Sequence, residues 1–181
     1  ADSAMPALVA NNFLRYQGYA PPNPSFNQAF FVEMFDCRNL NFQHNSLFFE
    51  PTNPASDYPA AFSPYGSAQL RFENNLVKTR GEAFVFYWAD FAGNHSDFNH
   101  FDAGPKGLYN GFPSLGEWTG LSQFDSVSTI GLVKFVAEND ASGRSDDLHL
   151  SGDTPNVPLS GNILPAISTD FDGQPRQISA T

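Results

Sequence analysis

The sequence predicts an all-β fold: a parallel β-helix of about three to four rungs, closed by an irregular C-terminal cap that contains a short helix. Phe is unusually frequent, with 19 residues among 181, and flat rings stack well in a repetitive β core. The 14 Gly and 14 Pro residues favour frequent turns and disfavour long helices. The third observation is a repeat of strand-length segments that each end in Asn.

The repeat has four copies, which lie at 7–12, 40–45, 70–75 and 89–94. Each copy alternates with period 2, as expected of a strand with one buried face. The closing residues are Asn12, Asn45, Asn75 and Asn94. They lie 33, 30 and 19 positions apart, in or near the range of solenoid repeats. We therefore expect them to stack at one turn, with their amides hydrogen-bonded from rung to rung.

The alternation also predicts which side chains point into the helix and which point out. The two inward rows are Ala7, Leu40, Leu70 and Ala89, followed by Val9, Phe42, Phe72 and Phe91. The two outward rows are Leu8, Asn41, Arg71 and Asp90, followed by Ala10, Gln43, Glu73 and Ala92. Pro-rich stretches at 16–25 and 50–66 are predicted to be loops that leave this stack.

We expect a single domain, with the rungs in residues 1–94 and the cap and tail in residues 95–181 packed on the same solenoid. Ser114 and Glu117 have the spacing of a capping box, which predicts a short helix. Leu115, Trp118 and Leu121 are expected to share the buried side of that helix. The first rung should present an open strand edge, unless more chain or a partner covers it.

Composition excludes several classes of function. The formal net charge is -10, which repels phosphate backbones and argues against nucleic-acid binding. Cys37 is the only cysteine, so an internal disulfide is impossible. No stretch of the sequence approaches the roughly 20 apolar residues that a membrane-spanning helix needs.

After residue 94 the sequence resembles a known family. The order Ser-Asp-Phe-Asn, Ser-Leu-Gly-Glu-Trp, Phe-Asp-Ser-Val-Ser, Asp-Leu-His-Leu and Ile-Ser-Thr-Asp-Phe-Asp-Gly-Gln-Pro-Arg is similar to the closing segment of right-handed parallel β-helix proteins of the pectate-lyase-like superfamily. The resemblance covers roughly residues 40–176. It implies a right-handed helix and an extracellular, bacterial protein. It does not specify an activity, because the superfamily includes lyases, hydrolases, epimerases and adhesins.

The resemblance implies that binding or catalytic residues would project from the outward face of a strand stack. The candidate substrate-binding residues are Asn41, Gln43, Arg71, Glu73, Lys78, Arg80 and Asp90. Three of them are bases within ten residues, so they form the best local contact for an anion such as a uronan carboxylate. The alternative interpretation is a solvated strand edge, on which Lys and Arg prevent aggregation. No catalytic residue is assigned.

Other candidate sites are weaker. Asp170 and Asp172 can share one face as a pair of acids, but Gly173 and Pro175 favour a turn there. The adjacent acids Asp146 and Asp147 would point to opposite faces of a strand. Neither acidic stretch completes an EF-hand, so calcium is possible only at a looser site, and no zinc pattern is present.

Three functional hypotheses follow. The first is the C-terminal segment of a secreted, polysaccharide lyase-like protein that binds a glycan, with any catalytic centre partly or wholly upstream. The second is a non-enzymatic cell-surface or matrix protein whose β-helix is structural or adhesive. The third is a subunit whose N-terminal edge continues the upstream part of the parent chain or another β-helix subunit.

Overall fold

The structure is a computed structural model that describes residues 5–18, 28–52, 58–88, 90–109, 112, 114–136, 148–152, 169 and 172–175. Its strands form three parallel sheets that wind into a solenoid of about three turns, which confirms the predicted parallel β-helix. Sheet A has the order β1 (Ala7–Ala10), β4 (Arg38–Gln43), β7 (Ala68–Glu73), β10 (His95–Asp97). Sheet B has the order β2 (Phe13–Gly18), β5 (Ser46–Pro51), β8 (Leu76–Thr79), β11 (His100–Asp102), β12 (Thr129–Ile130). Sheet C has the order β3 (Gln28–Glu33), β6 (Tyr58–Ser63), β9 (Phe84–Phe86).

The predicted register holds through the first three rungs of sheet A. Val9 pairs with Phe42 and Phe42 with Phe72, as expected of the inward row. The Phe42 and Phe72 rings stack at 5.4 Å with 4° between their planes, and both residues are buried. Aromatic side chains from sheet C complete this core, since Phe62 contacts both rings. Stacked Phe side chains therefore fill the solenoid, as the composition indicates.

The predicted position of the fourth copy of the repeat is wrong. Strand β10 pairs with β7 so that His95 lies beside Arg71, Ser96 beside Phe72 and Asp97 beside Glu73. The fourth repeat is therefore 94–99 and not 89–94. Phe91 still reaches the core, where its ring contacts Trp118, but it is not part of the inward row. The strand stack continues through β12, beyond the boundary expected at residue 94.

The turn between sheets A and B carries the predicted Asn ladder, with Asn99 in the place expected of Asn94. Asn45 Oδ1 accepts hydrogen bonds from the backbone N–H of Asn12 at 3.1 Å and from its Nδ2 at 2.9 Å. Asn75 Oδ1 accepts the same pair from Asn45, and Asn99 Oδ1 accepts it from Asn75. The left-handed residue is the one that precedes each ladder Asn: Asn11, His44, Asn74 and Phe98 all have φ of 56–57°. The ladder Asn thus contributes its side-chain amide, whereas the residue before it adopts the left-handed backbone conformation.

A short helix, α1 (Leu115–Ser122), closes the C-terminal end of the core, and Ser114 and Glu117 form the predicted capping box. Trp118 is fully buried and stacks on Phe86 at 5.0 Å, while Leu115 is partly buried. Leu121 is 42% exposed, so its predicted place on the buried side is wrong. Around the helix axis Leu121 lies about 60° from Trp118 and about 120° from Leu115, at the margin of the buried side.

The ladder ends at a buried carboxylate. Asp125 is 1% exposed and accepts hydrogen bonds from the hydroxyls of Ser96 and Ser128, from Asn99 Nδ2 at 3.0 Å and from Trp118 Nε1 at 2.8 Å. Burial raises the pKa of the Asp125 carboxyl, and the hydrogen bonds from these four residues oppose that shift. Ser128 Oγ also accepts the Asn99 N–H at 2.8 Å, in the position where another ladder Asn would stand. Hydrogen bonds to Asp125 therefore connect α1, the residues that follow it and the Asn ladder.

The C-terminal segment covers the outer face of sheet B. Phe135 and Leu148 form a second buried cluster with Phe48 on β5, and Phe135 forms an isolated antiparallel bridge with Leu150. Phe13 on β2 contacts His149 edge to face at 4.8 Å. This part of the predicted tail is thus packed on the outer face of sheet B of the same solenoid.

Acidification is expected to destabilise the fold through His100, which is 3% exposed beneath β12. Burial lowers the pKa of this imidazole, outweighing a backbone hydrogen bond to Gly131 and the nearby Asp102 carboxylate. The unfolded chain therefore takes up a proton as the pH falls through about 6.5, while the folded protein does not. We expect the free energy of unfolding to fall by about 1 kcal/mol from about pH 7.5 to about pH 5.5 relative to a His100→Gln variant. Urea unfolding of both proteins at the two pH values checks this, and parallel pH profiles would contradict it.

Candidate functional site

A polar cleft lies on the outer face of sheet A. Its volume is 420 Å³, within the range of roughly 300 to 1,000 Å³ for small-molecule sites. The lining residues are Pro6, Asn39, Asn41, Gln69, Leu70, Arg71, Gly93 and His95. They come from all four strands of the sheet or from residues beside them, so neighbouring contributions are about 4.8 Å apart across the rungs.

Two of the lining residues have unusual backbone conformations. Asn39 and Gln69 have φ of 55° and 59°, in the left-handed region, although both lie inside strands. The paired register of β4 and β7 passes from Arg38–Ala68 to Leu40–Leu70 and omits these two residues. Asn39 and Asn41 are two residues apart, as are Gln69 and Arg71, and all four line the cleft.

Beside the cleft, the Glu73 carboxylate connects three strands. Glu73 on β7 is 1% exposed, and its Oε1 contacts Arg71 Nη1 at 3.1 Å and His95 Nε2 at 3.2 Å. Its Oε2 accepts a hydrogen bond from Gln43 Nε2 at 2.9 Å. With three partners, Glu73 is held in place as a counter-charge. It fixes the positions of Arg71 and His95, whose side chains are 58% and 45% exposed.

The structure brings four of the seven predicted site residues together. Asn41 and Arg71 line the cleft, while Gln43 and Glu73 lie buried directly beside them in the next outward row. The predicted outward face is therefore the face that carries the cleft. Gln43 and Glu73 support the lining residues and are not themselves open to a ligand.

Lys78 and Arg80 lie elsewhere. Lys78 is on β8 of sheet B, 1% exposed beneath the C-terminal segment, and its Nζ donates a hydrogen bond to the Val133 carbonyl oxygen. Arg80 forms a two-point ion pair with Asp102 at 2.8 and 3.1 Å, and Asp102 also accepts the Val133 N–H. Both cations thus fasten the chain segment around Val133 to sheet B. Of the three clustered bases, Arg71 alone reaches the cleft.

Asp90 stabilises a turn through its side chain and its carbonyl oxygen. Its Oδ2 accepts a hydrogen bond from the Gly66 N–H at 2.9 Å, and its carbonyl oxygen accepts bonds from Trp88 Nε1 and Asn94 Nδ2. The predicted fourth repeat, 89–94, begins five residues too early, and for this reason it places Asp90 in the outward row beside Arg71. His95 occupies that position.

The other candidates do not form a metal centre in the part of the chain that the structure describes. No three His, Cys, Asp or Glu side chains converge there as metal ligands. His95 lies at the cleft, whereas His100 is buried on sheet B and contacts Thr129. Asp172 contacts His149 at 2.6 Å, and Asp146, Asp147 and Asp170 lie outside the described residues.

Sequence reasoning missed three polar residues of the cleft. Asn39 and Gln69 are 30 positions apart, the same interval as Asn45 and Asn75, which is the signal that links them. His95 was missed with the misaligned repeat, although Asn99 offers an equally good closing residue five positions after Asn94. Together the lining side chains present amide donors and acceptors, one guanidinium and one imidazole.

Comparison with family models, with curated proteins and with solved structures finds no match. The resemblance to the pectate-lyase-like superfamily therefore stays a prediction. None of the described helices is long and apolar enough to cross a membrane. The fold and the cleft are the observations on which a functional proposal has to be based.

Proposed function

We propose that this chain is the glycan-binding C-terminal segment of an extracellular β-solenoid protein, and that an extended glycan lies across the strands in the cleft of sheet A. The observation that carries the proposal is the row of Asn41, Arg71 and His95, which occupies one register position on three consecutive strands. Repeated hydrogen-bonding groups at a constant spacing suit a ligand that is itself a repeating polymer with hydroxyl groups.

Arg71 gives the cleft a preference for glycans that carry carboxylates. Its guanidinium contacts Glu73 through Nη1, 58% of the side chain is exposed, and the residue lines the cleft. A planar guanidinium binds a carboxylate with two parallel hydrogen bonds, which is stronger and more directional than a bond to a neutral hydroxyl. Because the whole chain is acidic, this local positive group is important for attracting a uronan.

Binding without turnover is favoured over catalysis at this cleft. A lyase needs a base that can take a proton from the substrate. Glu73, the carboxylate beside the cleft, is 1% exposed and already has three partners, so it is poorly placed to reach a substrate proton. This supports an adhesive or targeting role for the described residues, and a catalytic centre of the parent protein would lie upstream.

The test is a binding titration with acidic and neutral polysaccharides, comparing Arg71→Ala with the unchanged chain. We expect the substitution to weaken binding of an acidic glycan at least about tenfold, because a charge-assisted pair is lost, and to leave binding of a neutral glycan nearly unchanged. Arg15→Ala is the matched control, since Arg15 lies on sheet B beside Gln17 and Phe48.

Equal losses in the two variants would mean that binding follows net charge and not the cleft. Absence of binding to every polysaccharide would contradict the proposal outright. In parallel, absorbance at about 235 nm detects the unsaturated products of proton abstraction from uronans. A signal from this chain that Arg71→Ala abolishes would overturn the assignment of binding without turnover.

A further inference from the structure

The cleft of sheet A contains two side chains that can carry a positive charge, and they share one carboxylate. Arg71 on β7 and His95 on β10 are register partners on adjacent strands, and both contact Glu73 Oε1, at 3.1 and 3.2 Å. A guanidinium is always charged, whereas an imidazole takes up or releases its proton between about pH 5 and 8. The charge of the cleft therefore depends on the state of His95.

The contact with Glu73 determines which nitrogen of the neutral imidazole carries the proton. A carboxylate only accepts hydrogen bonds, so the proton of neutral His95 lies on Nε2, 3.2 Å from Glu73 Oε1. Nδ1 then has a lone pair and no hydrogen. This ring has no other hydrogen-bond partner among the residues that the structure describes, and its side chain is 45% exposed at the cleft. Nδ1 is therefore available to a ligand.

Protonation of His95 changes Nδ1 from an acceptor into a donor. The lone pair of the neutral ring repels a carboxylate, whereas the imidazolium N–H donates a charge-assisted hydrogen bond to it. Nε2–H can donate to Glu73 in both states, so the ring keeps its anchor. Because the Glu73 carboxylate offsets the charge of Arg71, the added proton gives the cleft a net positive charge.

The remaining charged groups around β10 do not compete for this role. Besides Arg71 and Glu73 on β7, they are Asp97 on β10, Asp90 before it and Asp125 after α1. Each of these three carboxylates already accepts hydrogen bonds within the fold, and none is among the described residues that line the cleft. Of the described lining residues, His95 is the one that can add a positive charge to that of Arg71.

We propose that His95 is a specificity-determining residue of the cleft: once protonated, it is a second cation beside Arg71, and the cleft then binds carboxylate-bearing glycans more tightly than it does at neutral pH. This inference rests on the proposed glycan binding and adds a pH response to it. Glycan carboxylates stay ionised above about pH 5, so the change comes from the protein. A hydroxyl group can pair with Nδ1 in either state, so neutral glycans should not respond.

The test is a calorimetric titration with an oligogalacturonate and with a neutral oligogalactose of equal length, at about pH 7.5 and about pH 5.5. We expect the affinity for the acidic glycan to rise about tenfold at the lower pH, because one charge-assisted hydrogen bond is added. The affinity for the neutral glycan should change less than about twofold. At about pH 6.5, binding of the acidic glycan should take up protons, which a comparison of two buffers with different ionisation enthalpies detects.

His95→Gln is the variant that tests the mechanism. Glutamine can still donate a hydrogen bond to Glu73 but carries no charge, so both the pH response and the proton uptake should be lost. His100→Gln is the matched control, because His100 is buried on sheet B, and it should keep the tenfold response. Far-UV circular dichroism at both pH values checks that each protein is folded.

Three results would overturn this inference and leave the proposed function intact: a pH response that persists in His95→Gln, an equal response to the neutral glycan, or an affinity for the acidic glycan that Arg71→Ala weakens equally at both pH values without any effect of pH. If the acidic glycan binds at neither pH, the proposed function is contradicted, and this inference with it.

Discussion

Replacing Asn75 with alanine is expected to lower the free energy of unfolding by about 3 kcal/mol. Asn75 is 2% exposed, and its side chain accepts the Asn45 N–H and donates to the Phe42 carbonyl and to Asn99 Oδ1. Without it, the Asn45 N–H and the Phe42 carbonyl each lose a partner in a buried turn. A buried polar group without a partner costs about 1–3 kcal/mol. Urea unfolding followed by far-UV circular dichroism measures the change.

Asn12→Ala is the matched control, because it makes the same substitution at the end of the same ladder. Asn45 Oδ1 keeps its hydrogen bond from the Asn12 backbone, and Asn12 is only partly buried. We expect a loss of about 1 kcal/mol or less. A loss from Asn75→Ala no larger than that from Asn12→Ala would show that the ladder does not stabilise the solenoid.

Asp125→Ala is expected to cost about 4 kcal/mol and to disturb the C-terminal closure before the rest of the solenoid. The carboxylate receives hydrogen bonds from four residues, of which the Trp118 indole N–H is fully buried and has no other described acceptor. Loss of this acceptor should expose the ring. Tryptophan emission is therefore expected to shift to longer wavelength in the variant under conditions where the far-UV spectrum is unchanged.

Asp97→Ala provides a comparison at a neighbouring carboxylate. Asp97 is 8% exposed and accepts bonds from Ser126 Oγ and the Val127 and Phe98 N–H groups, close to the surface. The indole N–H groups of Trp88 and Trp118 donate to Asp90 and Asp125, and not to Asp97. If both variants shift the emission equally, the signal reports general loosening, and the assigned role of Asp125 is contradicted.

The fold could be predicted because short segments of the sequence repeat the pattern that determines it. Period-2 alternation and a closing Asn predict both the inward Phe row and the ladder through Asn75. The fourth rung could not be aligned in this way, because its inward residue is Ser96 and not a large apolar residue. Ser96 donates a hydrogen bond to Asp125, a partner 29 positions away that no local pattern reveals.

The candidate site was predicted in part for a related reason. Asn41 and Arg71 follow from strand alternation, which identifies the outward face. Asn39 and Gln69 are not among the predicted residues, because the aligned repeats begin at Leu40 and Leu70, one position after each of them. Lys78 also alternates outward, but the segment around Val133 covers it, and long-range packing of this kind has no signal in the strand itself.

The most direct test of the central claim is a nuclear magnetic resonance titration of the isotope-labelled chain with the glycan that binds most tightly. If the cleft of sheet A is the binding surface, the largest shifts will fall on the side chains of Asn41, Arg71 and His95 and on the backbone beside them. Shifts confined to sheet B or to the exposed rings of Phe35 and Tyr65, with the cleft signals unmoved, would contradict the account.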